Sequence, residues 1–198
     1  MKRKFAALFA ALVMLAACGA PNGAGTLTTQ STTTAASSQG QTEQPEGLFS
    51  LFAAETLEGE TVDQSIFEGK TLTMINIWAT FCSPCLDEMP DLAALNEAYA
   101  DKGVQVVGIV IDMLNEDGTI SEAQLENAKG IVAETGANYT HLLPSYDLIA
   151  LKLQEVDSVP TTIFVDETGA QVGEDYIGAR SQEKWSEIID TLLEEVAE

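Results

Sequence analysis

The sequence predicts an α/β fold: a central mixed β-sheet flanked by helices, with an N-terminal β-hairpin and a further helical unit after the second buried strand. Three observations predict it. Apolar runs of strand length alternate with segments whose apolar residues recur at helical spacing. The last two runs, Thr161–Val165 and Gln171–Ile177, are joined across Asp166-Glu167-Thr168-Gly169, a turn that makes an antiparallel hairpin. Residues 48–198 carry no internal repeat and are long enough to bury one good core.

The N-terminus reads as two further units. Met1-Lys2-Arg3-Lys4 is a positive stretch followed by apolar Phe5–Ala17, short for a membrane span and right for the core of a signal peptide over residues 1–17. It ends in Leu15-Ala16-Ala17-Cys18, which resembles the bacterial lipobox. That resemblance implies cleavage before Cys18 and lipidation of it; an ordinary secretory signal with a chance cysteine is the alternative. Cys18 is the odd member of three cysteines, which lipidation would explain. Residues 18–47, rich in Gly, Ser, Thr, Gln and Ala, read as a flexible linker with a reach of about 30 Å. Nine Lys or Arg face 31 Asp or Glu, a net charge of −22; loss of Lys2, Arg3 and Lys4 with the signal leaves six against 31, or −25. Such a surface repels nucleic acid and anionic lipid, so attachment to a membrane falls to the lipid. The acidity itself reads as solubility rather than as a specific basic partner.

The folded domain follows in order. Leu48–Ala54 and Glu60–Val62 predict a small hairpin around Glu58-Gly59, and Asp63 caps a short turn through Phe67. The apolar run Leu72–Trp78 is a buried strand. A helix from about Ser83 to Ala100 follows, bent at Pro90 and ended by Gly103. Val104–Ile111 is a second buried strand. Beyond a polar loop, Asp112–Ile120, comes a helix over about Ser121–Thr135, with Ser121 and Gln124 as a capping box and Gly136 as its stop. Tyr139–Leu142 is a short strand and Tyr146–Leu153 a helix. After the hairpin, a last helix over about Ser181–Val196 carries Trp185, Ile188, Ile189 and Leu192 on its core face.

Chemistry is concentrated where the strand Leu72–Trp78 passes into its helix, at Cys82-Ser83-Pro84-Cys85. Cysteines three apart across a first helical turn share a face and stand close enough to form a small-ring disulfide. Free backbone N–H groups and the positive end of the helix dipole favour a thiolate on the first. This is a device for exchanging electrons with another dithiol.

The block Trp78-Ala79-Thr80-Phe81-Cys82-Ser83-Pro84-Cys85-Leu86-Asp87-Glu88-Met89-Pro90, with Val159-Pro160-Thr161, resembles the thioredoxin superfamily. More narrowly, it resembles the membrane-anchored TlpA/ResA-like thiol-disulfide oxidoreductases. The likeness covers most of residues 48–198 and implies a thioredoxin-like fold. Pro90 matches the family's helix-kinking proline, and the insertion around Ser121–Tyr139 is typical of the TlpA-like branch. By the same resemblance Cys82 is the attacking nucleophile, Cys85 the resolving thiol, and Pro160 the cis-proline whose loop offers backbone hydrogen bonds to a partner. Trp78 packs beneath the loop, with Phe81 and Val159 around it. Phe81 stands where many relatives have tryptophan, so an apolar rim is kept and an N–H donor lost.

One departure redirects the proton chemistry. Thioredoxins carry a buried aspartate six residues before the first cysteine, and Asn76 at that position cannot titrate. Glu88, three residues after Cys85 and on its face, matches the acid used by several TlpA/ResA-like proteins. A solvated helix glutamate is the other reading. No lysine or arginine lies close in sequence to offset Asp87, Glu88 and Asp91.

The resemblance implies an extracytoplasmic, lipid-anchored reductase of protein disulfides, resupplied by a membrane thiol-disulfide carrier of the CcdA/DsbD type. It needs no cofactor beyond its dithiol and no metal. Against it stand an oxidase with the opposite electron flow, a peroxiredoxin-type peroxidase and a lipoprotein that only binds partners. A metal-binding chaperone built on Cys82, Cys85 and a distant ligand such as His141, the only histidine, is a further alternative.

Overall fold

Seven strands and four α-helices follow one another over residues 47–197, the part of the chain that the computed structural model describes. A two-stranded hairpin of β1 (Ala53–Glu55) and β2 (Thr61–Asp63) leads through a 3-10 turn into β3 (Leu72–Trp78) and α1 (Ser83–Ala98). Then come β4 (Val104–Val110), α2 (Glu122–Thr135), β5 (Thr140–Leu142) and α3 (Tyr146–Leu151). The hairpin β6 (Thr161–Val165) and β7 (Gln171–Ile177) precedes α4 (Gln182–Glu195). The main sheet has the order β5-β4-β3-β6-β7. β3, β4 and β5 run parallel, whereas β6 is antiparallel to both β3 and β7.

Every residue of β3 is buried, as a central strand covered on both faces requires. Leu72, Met74 and Trp78 join one core with residues of α1, α2 and α4, among them Met89, Leu92, Ala128, Trp185 and Ile189. Ile75 and Ile77 point the other way, into a second core with Phe49, Phe52, Phe67 and Leu148. By this alternation Asn76 shares the face of Met74 and Trp78, towards α1 and α4. The edge at β5 is covered by the N-terminal hairpin: Leu57 N–H donates to His141 O at 2.9 Å and Leu143 N–H to Glu55 O at 2.8 Å.

The ends of the elements follow local chemistry. Asp63 accepts from Ser65 N and starts the 3-10 turn, and Ser121, Ser145 and Ser181 cap α2, α3 and α4. Pro84 lies in the first turn of α1, where its missing N–H is not needed. Pro90 lies inside α1 and deprives the Leu86 carbonyl of its helical donor.

Three expectations need correction. Leu48–Ala54 is not one strand: Phe49 and Phe52 are both buried, a spacing of three that a strand cannot place on one face. Their rings meet Phe67 at 6.4 and 5.8 Å, so these residues turn, and pairing begins only at Ala53. The helix after the cysteines ends at Ala98 rather than Ala100, its last turn tightening into a 3-10 turn, Ala100–Lys102, closed by Gly103 at φ 77°. The capping box is half-made. Ser121 Oγ accepts from Gln124 N, but the Gln124 side chain turns to Asp112 and Thr80.

Candidate active site

β3 ends at Trp78, and four residues later Cys82 caps α1. The Cys82 backbone is extended, its N–H closes a turn onto Ala79 O at 3.1 Å, and its carbonyl takes the N–H groups of Cys85 and Leu86. Its sulfur accepts the Cys85 N–H at 3.3 Å. Cys82 and Cys85 are joined as a disulfide, with Cα atoms 5.3 Å apart. Cys82 is 6% exposed and Cys85 not at all, so the first sulfur is the more accessible of the two. Phe81 beside it is 75% exposed, an apolar ring standing in water.

Glu88, one turn along α1, is 3% exposed rather than solvated. Its Oε1 accepts from Asn76 Nδ2 at 3.0 Å, and its Oε2 from Arg180 N at 3.1 Å and Trp185 Nε1 at 3.3 Å. Burial raises its pKa above the usual glutamate value, and these hydrogen bonds oppose the rise without cancelling it. Glu88 also lines a groove of about 310 Å³, together with Pro84, Asp87, Asp91, Ala179, Arg180 and Ser181. Asn76 also donates to Thr162 Oγ1 at 3.1 Å, tying β3 to β6 at the level of the carboxylate.

Trp78 is fully buried in the same core as both cysteines. Its indole N–H donates to His141 Nδ1 at 3.2 Å, and its carbonyl accepts from Ile111 N at 2.9 Å. Thr80, midway along the loop, gives its N–H and its hydroxyl to the Asp112 carboxylate, at 3.0 and 2.6 Å. On the other side of β3, the Val159–Pro160 bond is cis, and the Pro160 carbonyl accepts from Gly178 N at 2.8 Å. Thr161 pairs with Ile77, so Val159 and Pro160 stand beside the end of β3 from which the cysteine loop departs.

The structure therefore brings Trp78, Phe81, Cys82, Cys85, Glu88, Val159 and Pro160 to one end of the sheet. Cys18 and the other residues before 47 lie outside the described residues. Sequence reasoning missed Arg180, 92 residues from Glu88, whose guanidinium lies over the Trp185 ring at 4.9 Å. It also read Trp185 as core alone and gave Asn76 no partner. A polar residue within an apolar strand was the available signal, since a buried amide must find hydrogen bonds. His141 is buried in β5 and held by Trp78. No group of three or more His, Cys, Asp or Glu able to hold a metal is found among the described residues. Nor is any helix among them long and apolar enough to cross a membrane.

Comparison with known proteins agrees with this geometry. The redoxin family model matches residues 38–193. The thiol-disulfide oxidoreductase ResA of Halalkalibacterium halodurans is 25% identical over 144 residues, covering 73% of this chain and 74% of the relative. The thioredoxin-like protein YneN of Bacillus subtilis is 27% identical over 139 residues, covering 70% and 75%. Among solved structures, a thiol:disulfide interchange protein of the thioredoxin family from Chlorobium tepidum superposes with a TM-score of 0.59 at 26% identity, covering 72% of this chain and 93% of that one. With its mixed sheet, its dithiol at the head of α1 and a family match over most of its length, the chain belongs to the redoxin family, as a thioredoxin-like thiol-disulfide oxidoreductase of the ResA type.

Proposed function

We propose that this protein is a tethered reductase of protein disulfides outside the cytoplasm. The observation that carries the reading is the buried Cys82–Cys85 pair at the start of α1, with exposed Phe81 beside it and a Glu88 carboxyl of raised pKa behind. In the reduced state the Cys82 thiolate attacks a partner's disulfide. One partner sulfur leaves as a thiolate, and the other is held in a mixed disulfide with Cys82. Cys85 gives its proton to Glu88 and attacks the Cys82 sulfur. The second partner thiol is released, and the Cys82–Cys85 disulfide forms. Two electrons have passed to the partner.

The other assigned residues serve this exchange. Phe81 and Val159 form the apolar rim against which the partner lies, and the Pro160 loop offers it backbone hydrogen bonds. Trp78 supports the loop from below. Electrons return from a membrane thiol-disulfide carrier of the CcdA/DsbD type. Residues 1–17 are a signal peptide, Cys18 carries the lipid that anchors the chain to a bacterial membrane, and residues 18–47 are the tether.

Equilibration of the Cys82–Cys85 pair against glutathione or dithiothreitol buffers tests the direction. A reduction potential near the thioredoxin value of about −270 mV supports the reductase. One near the DsbA value of about −120 mV makes the protein an oxidase and reverses the electron flow.

A further inference from the structure

The segment that follows β4 reaches back to the cysteine loop at two places. The first crosses the sheet. Gly108 of β4 pairs with Asn76 of β3 on one side and with His141 of β5 on the other. Because Gly108 has no side chain, the His141 ring lies over it and reaches the Trp78 indole; a Cβ added at Gly108 would collide with His141 Nδ1. Trp78 donates to Nδ1, so the proton of the neutral ring is on Nε2, which donates to Ala137 O at 3.0 Å. Both ring nitrogens are thus committed, and Tyr139 packs on the ring at 4.4 Å between centroids. The second contact is Gln124 of α2, whose Nε2 donates to Asp112 O and Oδ2, both at 3.2 Å, while the same carboxylate holds Thr80.

We propose that the segment after β4 braces the loop that presents Cys82, and that His141 is a positioning residue acting through Trp78. The proposal rests on Cys82 being the attacking thiol, as assigned above. The path from brace to sulfur is short. Trp78 begins the five-residue path to Cys82, and the bonds of Trp78 and Thr80 to Ile111 and Asp112 are made to the residues just beyond β4. With the indole fixed, the chain leaves β3 in one direction and places Cys82 Sγ 3.3 Å from the Cys85 N–H. In the reduced protein that N–H and the helix dipole stabilise the Cys82 thiolate. A loop that swings loses this arrangement for part of the time, and its thiolate reacts more slowly at neutral pH.

Two substitutions separate positioning from packing, because each keeps one of the two imidazole bonds. His141→Asn sets an acceptor where Nδ1 stands and retains the Trp78 bond. His141→Gln sets a donor where Nε2 stands and retains only the Ala137 bond. The full chain, reduced with dithiothreitol, is alkylated with iodoacetamide at neutral pH, the sites are mapped by mass spectrometry, and the indole N–H resonance of Trp78 is followed by NMR. His141→Gln is expected to slow Cys82 alkylation about three- to tenfold, the scale on which packed networks couple, and to move the indole resonance. His141→Asn restores both towards the wild type. Equal rates in the two variants, whether fast or equally slow, reduce His141 to packing and overturn the proposal. Gln124→Leu probes the brace without touching the core and is expected to slow alkylation about two- to threefold; an unchanged rate removes the brace. Preferential alkylation of Cys85 over Cys82 in the wild type would instead overturn the catalytic assignment.

Discussion

Glu88 and His141 are both buried ionisable groups near the end of β3, and each accepts an indole N–H, from Trp185 and from Trp78 respectively. Burial favours the neutral form of both, raising the Glu88 pKa and lowering that of His141 to about 4. What differs is the fit between protonation state and hydrogen bonds. The neutral imidazole satisfies both of its partners, so nothing in its surroundings asks it to change. Glu88 faces three donors that suit a carboxylate inside a site whose burial suits the acid. It also lines a groove. The proton-accepting role proposed for Glu88 draws on that conflict rather than on burial alone, whereas His141 is held as a structural acceptor.

The cysteines give the largest expected effect. Cys82→Ser abolishes turnover of a disulfide substrate such as insulin, and Cys85→Ser accumulates mixed disulfides visible by mass spectrometry; equal trapping by both variants would undo the assigned order of attack.

The next effect belongs to His141 and appears in stability. An unfolded histidine titrates near 6.5 and the folded one near 4, so between these values the unfolded chain binds more protons. Stability therefore falls as pH drops through that window, by about 3 kcal/mol in all. Urea denaturation across the window should show this loss in the wild type and its removal in His141→Asn.

Glu88 slopes the other way. Its folded pKa lies above the unfolded value near 4.5, so its protonated form contributes stability below that value, which is lost as pH rises through the folded pKa. Glu88→Gln should abolish that slope and flatten the pH dependence of thiol exchange. An exchange profile unchanged by the substitution would make Glu88 a fixed acceptor like His141, and the contrast between the two groups would collapse.

The smallest effect is a control away from both. Ser145→Ala removes the α3 cap and should cost about 1 kcal/mol while leaving the reduction potential where it was.

The elements were legible where one face or one cap settles them. Leu72–Trp78 and Val104–Val110 are mostly apolar because they are covered on both sides, and Gly136 closes α2 at φ 70°, a conformation glycine adopts without strain. The segment before Ala53 was not legible as a turn. Alternation and a spacing of three overlap in so short an apolar stretch, and what decides between them is Phe67, fifteen residues on. Within the site, Cys85 and Glu88 stand three apart on one helix, and their common face follows from helical spacing alone. Arg180 was not legible as a member of it, and His141 was read only as a possible metal ligand, because nothing near either residue in sequence signals a hydrogen-bond partner on α1 or β3.

By itself the sequence determined what depends on a few neighbouring residues: the alternation of strands and helices, most of their ends, and a dithiol at the head of a helix. Such features rest on backbone geometry and side-chain period, which every residue carries locally. The tertiary structure alone decided which groups meet around that dithiol. Sheet register sets Asn76, Gly108 and His141 in one row, and the packing of α4 on α1 carries Trp185 and Arg180 to Glu88. The protonation of Glu88 and the tautomer of His141 follow from those meetings, because desolvation and hydrogen bonding act between groups that are near in space and far apart in the chain.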